Sequence, residues 1–270
     1  MSDEMTGKEF YDYLVSEYNQ PFSGWDFSYL KDRQVDVTAH ALWDYTATVL
    51  AAMREAVSML DMGTGGGERL ASFAALQSLP ASTCATEGYA PNVPVARQRL
   101  APLGVTVCAI DDDDHLPFAD EQFDLIINRH ASYAPGEVLR ILKPGQRFIT
   151  QQVGDQTNRR LHELLDYAPK ATFYPGAEQK HAWNLDYAVH ELQEAGWRII
   201  EQQEELYPTR YYDVGAIVYY LKAIPWEIPE FSVAKYFDKL LEVDRLIKCE
   251  GYVDVLFHRF FIVARKEDEG

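Results

Sequence analysis

The sequence is poor in cysteine, in positive charge and in long apolar runs. Only 3 of its 270 residues are cysteine, Cys84, Cys108 and Cys249, odd in number, widely spaced and without a CxxC pair. That pattern sets aside a disulfide scaffold and reads as reduced thiols of a cytoplasmic protein. Lys and Arg total 25 against 42 Asp and Glu, a net charge of -17 with no local basic stripe, so nucleic acid is disfavoured as a partner. No run approaches the roughly 20 apolar residues of a membrane span, and the opening MSDEMTGKEF is polar and acidic with no apolar core. A soluble, intracellular chain that does not engage a membrane is expected. With 47% of residues apolar and 25% charged, it can bury a full core as one large domain or two small ones. Disorder, collagen and coiled coil are excluded as its main description.

Strand and helix signals alternate from residue 57 onward. Residues 57–61 form a short apolar run that ends in a glycine-rich turn, and Leu70, Phe73, Ala74 and Leu76 then recur at helical spacing before Pro80. Further strands are predicted at 83–87, 105–110, 123–128 and 147–153, with helices at 91–103 and 137–142 between them. Strands separated by helices imply a parallel sheet covered on both faces. Beyond it, a helix at 185–195, strands at 197–206 and 257–265, and helical segments at 214–224 and 233–247 are predicted. The stretches 154–184 and 208–252 are too long for connections and read as insertions. Residues 8–53 read as wholly helical, with Tyr11, Tyr13, Tyr18, Phe22, Trp25, Phe27 and Tyr29 crowded into the first half. The expected organisation is an N-terminal helical cap over 1–54 and an α/β domain over 55–270 carrying both insertions.

The turn Asp61-Met-Gly63-Thr64-Gly65-Gly66-Gly67 follows a strand and opens a helix, where glycines let a ligand approach the backbone. A phosphate-binding loop needs Lys after its last glycine, but Glu68 and Arg69 follow Gly67. A dinucleotide fingerprint begun at Gly63 needs glycine at 68, where Glu68 stands. Asp61 and Glu68 would both face a pyrophosphate and repel it. A cofactor with an ammonium and a sulfonium but no phosphate suits such a lip, and S-adenosylmethionine has those features. Twenty residues past Gly67, Glu87 ends the next strand, placed to accept from both ribose hydroxyls, and the run 111–114 ends the third.

The motifs MLDMGTGGG, CATEGYAPN, DDDDHLPFADEQFDLIINRH and EVLRILKPGQRFI resemble those of the class I S-adenosylmethionine-dependent methyltransferases, over residues of about 55 to 153. Asp112, Leu116, Pro117, Phe118, Phe123 and Asp124 occupy that family's D-x-x-x-L-P-F and F-D-L-I positions, and FFIVARK resembles its final antiparallel strand. The resemblance implies a Rossmann-like α/β fold. Its mostly parallel sheet would have seven strands, the last antiparallel, with helices on both faces and helical cap insertions. It implies that Asp61, Gly63, Thr64, Gly65 and Gly67 hold the methionine moiety and Glu87 the ribose. Gly88 and Tyr89 would border the adenine, and Asp112 and Asp113 would meet its edge. Asn128, Arg129 and His130 end the fourth strand beside the transferable methyl. The [DN]-P-P-[FY] motif of base-modifying amino methyltransferases is replaced by Asn128-Arg129-His130-Ala131, which argues against nucleobase acceptors.

Methyl transfer from a sulfonium is an in-line displacement that needs alignment, exclusion of water and sometimes a base. His130 is the candidate base; otherwise it is a strand-end imidazole bonded to backbone. Arg129 could orient an acceptor carboxylate or pair with one of the many acids. The displacement requires no metal, and the acids at 111–114, four consecutive residues that cannot all face one ion, read as a solvated loop with one or two adenine contacts. Tyr211, Tyr212, Tyr219, Tyr220 and Trp226 would line an acceptor pocket or pack the cap. The expectation is an enzyme acting on a small molecule. The alternatives are a protein that binds the cofactor without turnover, and a methyltransferase of protein or RNA.

Overall fold

The computed structural model describes residues 6–23, 26–37, 42–168 and 182–267. In chain order the elements are α1 (Gly7–Tyr18), β1 (Gln34–Asp36), α2 (Tyr45–Met53), β2 (Ser58–Met62), α3 (Glu68–Leu76), β3 (Ser82–Glu87), α4 (Asn92–Leu100), β4 (Thr106–Ala109) and β5 (Phe123–Arg129). There follow α5 (Pro135–Ile141), β6 (Leu142–Val153), α6 (Arg159–Leu164), α7 (Leu185–Glu194), β7 (Trp197–Tyr211), α8 (Val214–Ala223), α9 (Val233–Glu250) and β8 (Val253–Lys266).

All strands join one sheet of order β1-β7-β8-β6-β5-β2-β3-β4. Strands β2 to β6 are mutually parallel, β8 runs antiparallel to both β6 and β7, and β1 antiparallel to β7. The fold is thus the expected mostly parallel α/β sheet with an antiparallel last strand, but among the described residues it has eight strands rather than seven. The extra one, β1, lies in the stretch read as wholly helical, which is corrected to two helices joined through a 3-10 turn and this strand. Val35 and Val37 beside Arg33, Gln34 and Asp36 were too few to signal a strand; an exposed β7 edge supplies the pairing that makes one. Trp25 and residues 169–181 of the first insertion lie outside the described residues.

Period-two alternation splits the core. Met59, Ala85, Leu125, Ile127, Ile149 and Phe261 face one side, packing with Val49, Phe73 and Leu100 of α2, α3 and α4. Leu60, Ile126, Phe148, Phe260 and Ile262 face the other, against Val138, Ile141, Ala188 and Leu192 of α5 and α7. Such strands, buried on both faces, explain the nearly unbroken apolar runs of the sequence.

The strands β7 and β8 outrun the others. Their ladder continues from Glu205↔Arg259, level with Val153 of β6, to Tyr211↔Val253. Pro208, read as the start of an insertion, stays inside β7, and its carbonyl accepts from Val37 N–H of the incoming chain at 2.9 Å. On this projecting arm sits a separate core of Phe10, Leu14, Tyr211, Tyr219, Leu240 and Val255. It takes the apolar stripe of α9 (Val233, Tyr236, Leu240, Val243, Ile247) and the buried Phe10 and Leu14 of α1. Arg33 ties α1 to the start of α8, donating to Glu17 at 3.1 Å and to Asp213 at 2.6 Å. A helical mass therefore stands beyond the carboxyl ends of β2, β3 and β5, where ligands bind in open α/β sheets.

Candidate active site

The glycine turn leaves β2 with Gly63 at φ 63° and Gly67 at φ 82°. A Cβ on Gly63 would lie 2.3 Å from the Ala131 Cβ, and one on Gly67 2.8 Å from Leu100 Cγ, so each position excludes a side chain by space as well as by conformation. Thr64 N–H donates to the Thr86 carbonyl at 2.9 Å, which fastens the turn to β3.

Asp61 is buried at the end of β2 and accepts from the Thr64 hydroxyl at 2.7 Å. Burial pushes its pKa up to about 7, and the Glu87 carboxylate adds to the rise. Glu87 is buried at the end of β3, where Tyr89 N–H donates to it at 2.7 Å. Burial raises its pKa too, against the amides of Tyr89, Gly65 and Gly88 that hold it down. Neither carboxylate has an ion-pair partner among the described residues. A carboxylate has about four acceptor sites, so both can still receive donors.

Glu68 requires a correction. It is ion-paired to Arg99, so the acid lip is made by Asp61 and Glu87, not by Asp61 and Glu68. The pairing spans 31 residues and has no local signal. Beyond β4, Asp112 accepts from its own loop, from Asp114 N–H at 3.0 Å and His115 N–H at 2.9 Å. Asp113 is half-buried and accepts from the Ser132 hydroxyl. Gly88 and Tyr89 lie at the surface, the Tyr89 side of the lip being open to solvent.

At the end of β5 the structure brings together residues that sequence reasoning passed over. The Asn128 amide is largely engaged: Nδ2 donates one bond, to the Ser132 carbonyl at 3.2 Å, and Oδ1 accepts from Thr150 Oγ1 at 3.2 Å and Gln152 Nε2 at 2.7 Å. His130 has φ 60°, and its N–H donates to the Gln151 carbonyl at 2.8 Å. Its Nε2 lies 2.9 Å from Gln151 Nε2. Trp43 Nε1, a donor only, reaches Gln151 Oε1 at 2.8 Å, which turns the amide NH₂ toward His130. His130 Nε2 is therefore an acceptor and the ring proton sits on Nδ1. Burial and the nearby Arg129, Arg259 and Arg69 hold the imidazole well below its ordinary pKa. The signal was present in the polar pair Gln151-Gln152 within an otherwise apolar strand. Of the aromatics considered for a pocket, Tyr211, Tyr219 and Tyr220 are buried in the cap core, while Tyr212 and Trp226 are exposed. Cys84 and Cys108 are half-buried free thiols.

Residues 60–150 match the family described as "Methyltransferase domain". Over this stretch, about a third of the chain, the sequence resembles a methyltransferase domain. It is 28% identical over 137 residues to the ubiquinone/menaquinone biosynthesis C-methyltransferase UbiE of Pseudomonas savastanoi pv. phaseolicola, covering 47% of this chain and 54% of that protein. Against UbiE of Cupriavidus pinatubonensis the identity is 31% over 118 residues, or 41% and 49% of the two chains. The match thus spans about half the length of these relatives. In fold, the chain resembles YcgJ from Bacillus subtilis (TM-score 0.53, 15% identity, 83% of this chain and 99% of that one). It also resembles the [4+2]-cyclase SpnF (TM-score 0.52, 13% identity, 98% of both chains). No described helix is long and apolar enough to cross a membrane.

Proposed function

We propose that the protein is an S-adenosylmethionine-dependent methyltransferase acting on a small molecule. The observation that carries the reading is the glycine turn of a methyltransferase domain flanked by two buried carboxylates with no ion-pair partner, Asp61 and Glu87. Burial of such groups is costly unless something compensates them. A cationic amino acid moiety beside Asp61 and a pair of ribose hydroxyls on Glu87 would do so, whereas a pyrophosphate would add a third negative charge. When bound, S-adenosylmethionine supplies an electrophilic methyl on a sulfonium.

The chain's own residues then have these roles. The turn from Gly63 to Gly67 lets the cofactor reach backbone, and Asp113 with Asp112 borders the adenine edge. Asn128, its amide oxygen already spent and one N–H on the Ser132 carbonyl, shapes the site by holding the 131–132 loop. His130 stands neutral near pH 7. As a base on Nε2 it must give up the Gln151 bond; as a donor from Nδ1 it needs no change, and the donor role is the one favoured here. The UbiE relatives, named as C-methyltransferases, support a small-molecule acceptor. The likeness in fold to the [4+2]-cyclase SpnF is a reason to test turnover separately from binding, since one fold hosts many chemistries.

Titration calorimetry with S-adenosylhomocysteine, NAD and ATP tests the cofactor. Saturable binding of the first alone is expected, and tight NAD or ATP binding with none of S-adenosylhomocysteine would sink the proposal. Incubation with methyl-labelled cofactor and metabolite extracts tests turnover. Binding without labelled product across varied extracts would favour a non-catalytic binder.

A further inference from the structure

Positive charge is scarce in this chain, and six of its 15 arginines are spent on acids: Arg33, Arg99, Arg140, Arg147, Arg160 and Arg210 form ion pairs. Arg129 and Arg259 do not. Neither makes an ion pair or hydrogen bond with any described residue, and Arg259 Nε is buried with no partner. Glu205, directly across the ladder from Arg259, forms no ion pair with it.

Topology brings the two together. Arg129 of β5 is level with Gln151 of β6, and Gln151 with Phe261 of β8. Arg259 is one pleat beyond Phe261 on the same face, so the two Cα atoms are about 12 Å apart from strand spacings, within joint reach of two arginines. The guanidinium of Arg259 lies 5.2 Å from the Tyr207 ring centre and 5.3 Å from that of Phe257, a stacked pair where the arm meets the cap. The Tyr207 hydroxyl is buried there and also unpartnered. Unsatisfied buried donors thus converge beside His130, and like charges are left facing one another, each at a cost to folding. Planar guanidinium forks match carboxylate and phosphate oxygens.

We infer that Arg129 and Arg259, with the Tyr207 hydroxyl, seat an anionic group of the methyl acceptor, a carboxylate or a phosphate monoester. The inference rests on the methyltransferase reading, since that reading makes the β5 end the acceptor side. Arg69, on the helix that leaves the glycine turn, acts electrostatically on Arg129 and on Asp61 alike and is not part of the proposed seat.

The test is calorimetric. Protein saturated with S-adenosylhomocysteine is titrated with benzoate, with phenyl phosphate and with neutral benzamide. Saturable binding of at least one acid, and none of the amide, is expected. Arg129→Met and Arg259→Met should each weaken the acid at least tenfold and leave S-adenosylhomocysteine within about twofold, which also reports an intact fold. Arg259→Lys, which keeps charge but loses the fork, serves if a methionine variant does not fold, and should show an intermediate loss. Equal binding of acid and amide, no binding of either acid, or acid affinity that survives the substitutions would overturn the inference. So would a parallel fall in S-adenosylhomocysteine affinity, because the guanidinium groups would then belong to the cofactor. If wild-type protein ignores S-adenosylhomocysteine yet binds an acid through these arginines, the anion seat stands and the methyltransferase reading alone fails.

Discussion

Two halves of one sheet edge carry opposite unspent charge. At the ends of β2 and β3, Asp61 and Glu87 are buried acids without a cation in ion-pair contact; at β5 and β8, Arg129 and Arg259 lack an acid. All four belong to strand positions on the same face, two residues beyond Met59, Ala85 and Ile127 or two before Phe261. A sequence selected for stability alone would have paired them. Elsewhere it does so: Asp124 accepts from Lys143 at 2.7 Å and from Ser58, and is held down to about 2. On the proposed reading, the difference marks where ligand charge would replace protein charge, and a ligand bound only by the folded state would return the stability that the unpaired groups forfeit.

The acid half should break hardest. Asp61→Asn is expected to weaken S-adenosylhomocysteine binding by about 100-fold or more, by removing the charge that faces the ammonium. The same change should stabilise the unliganded protein. The pKa of Asp61 is about 7 in the folded state against an ordinary 3.8, so the native state holds its proton more tightly than the unfolded chain. Stability from this group is full below the unfolded pKa and is lost as pH rises through 7, a loss that asparagine does not suffer. Thermal melts should show the variant's gain growing as pH rises from the unfolded pKa, by about 1–3 kcal/mol more at pH 8 than at pH 5. A variant that binds normally, or gains as much at pH 5 as at pH 8, would erase the contrast between the halves.

Glu87→Ala is expected to cost cofactor affinity about 1–3 kcal/mol, through charge-assisted hydrogen bonds to the ribose. Calorimetry with S-adenosylhomocysteine and with its 2′-deoxy analogue separates this from general damage. The wild type should discriminate against the analogue, and the variant should not.

The acid half was legible because its residues follow one another along the chain: a strand, a glycine turn, then an acid at the next strand end, each read from local spacing. The basic half was not. Arg129 and Arg259 are 130 residues apart in sequence and meet only because β8 inserts between β6 and β7. An arginine inside FHRFFIVAR was a sign that a charge had been placed among apolar neighbours, but only the register says which other charge it meets. Glu68 failed in the same way, since its partner Arg99 is on the following helix. The eighth strand escaped because three residues carry no periodicity, and an unpaired edge made them a strand.

The smallest expected effect tests how the halves are joined at His130. Trp43 stacks on Phe261 at 5.9 Å with rings 9° apart, and its N–H fixes the Gln151 amide that fixes the imidazole. Trp43→Phe keeps an aromatic ring in that slot but removes the N–H, so the Gln151 amide is free to rotate and present its oxygen to His130. Nε2 would then carry the proton and Nδ1 would lose it, reversing donor and acceptor toward the site. The change should cost about 1 kcal/mol of stability for one buried hydrogen bond. Cofactor affinity should be unchanged, because Asp61 and Glu87 are untouched. The sensitive readout is the tautomer, followed by ¹⁵N shifts of the His130 ring: the wild type is expected as the Nδ1–H form, the variant as a mixture. Turnover that falls several-fold alongside the tautomer shift would support a donor role. Turnover that rises as Nε2 is released from its amide would instead make His130 a base that Gln151 holds in check.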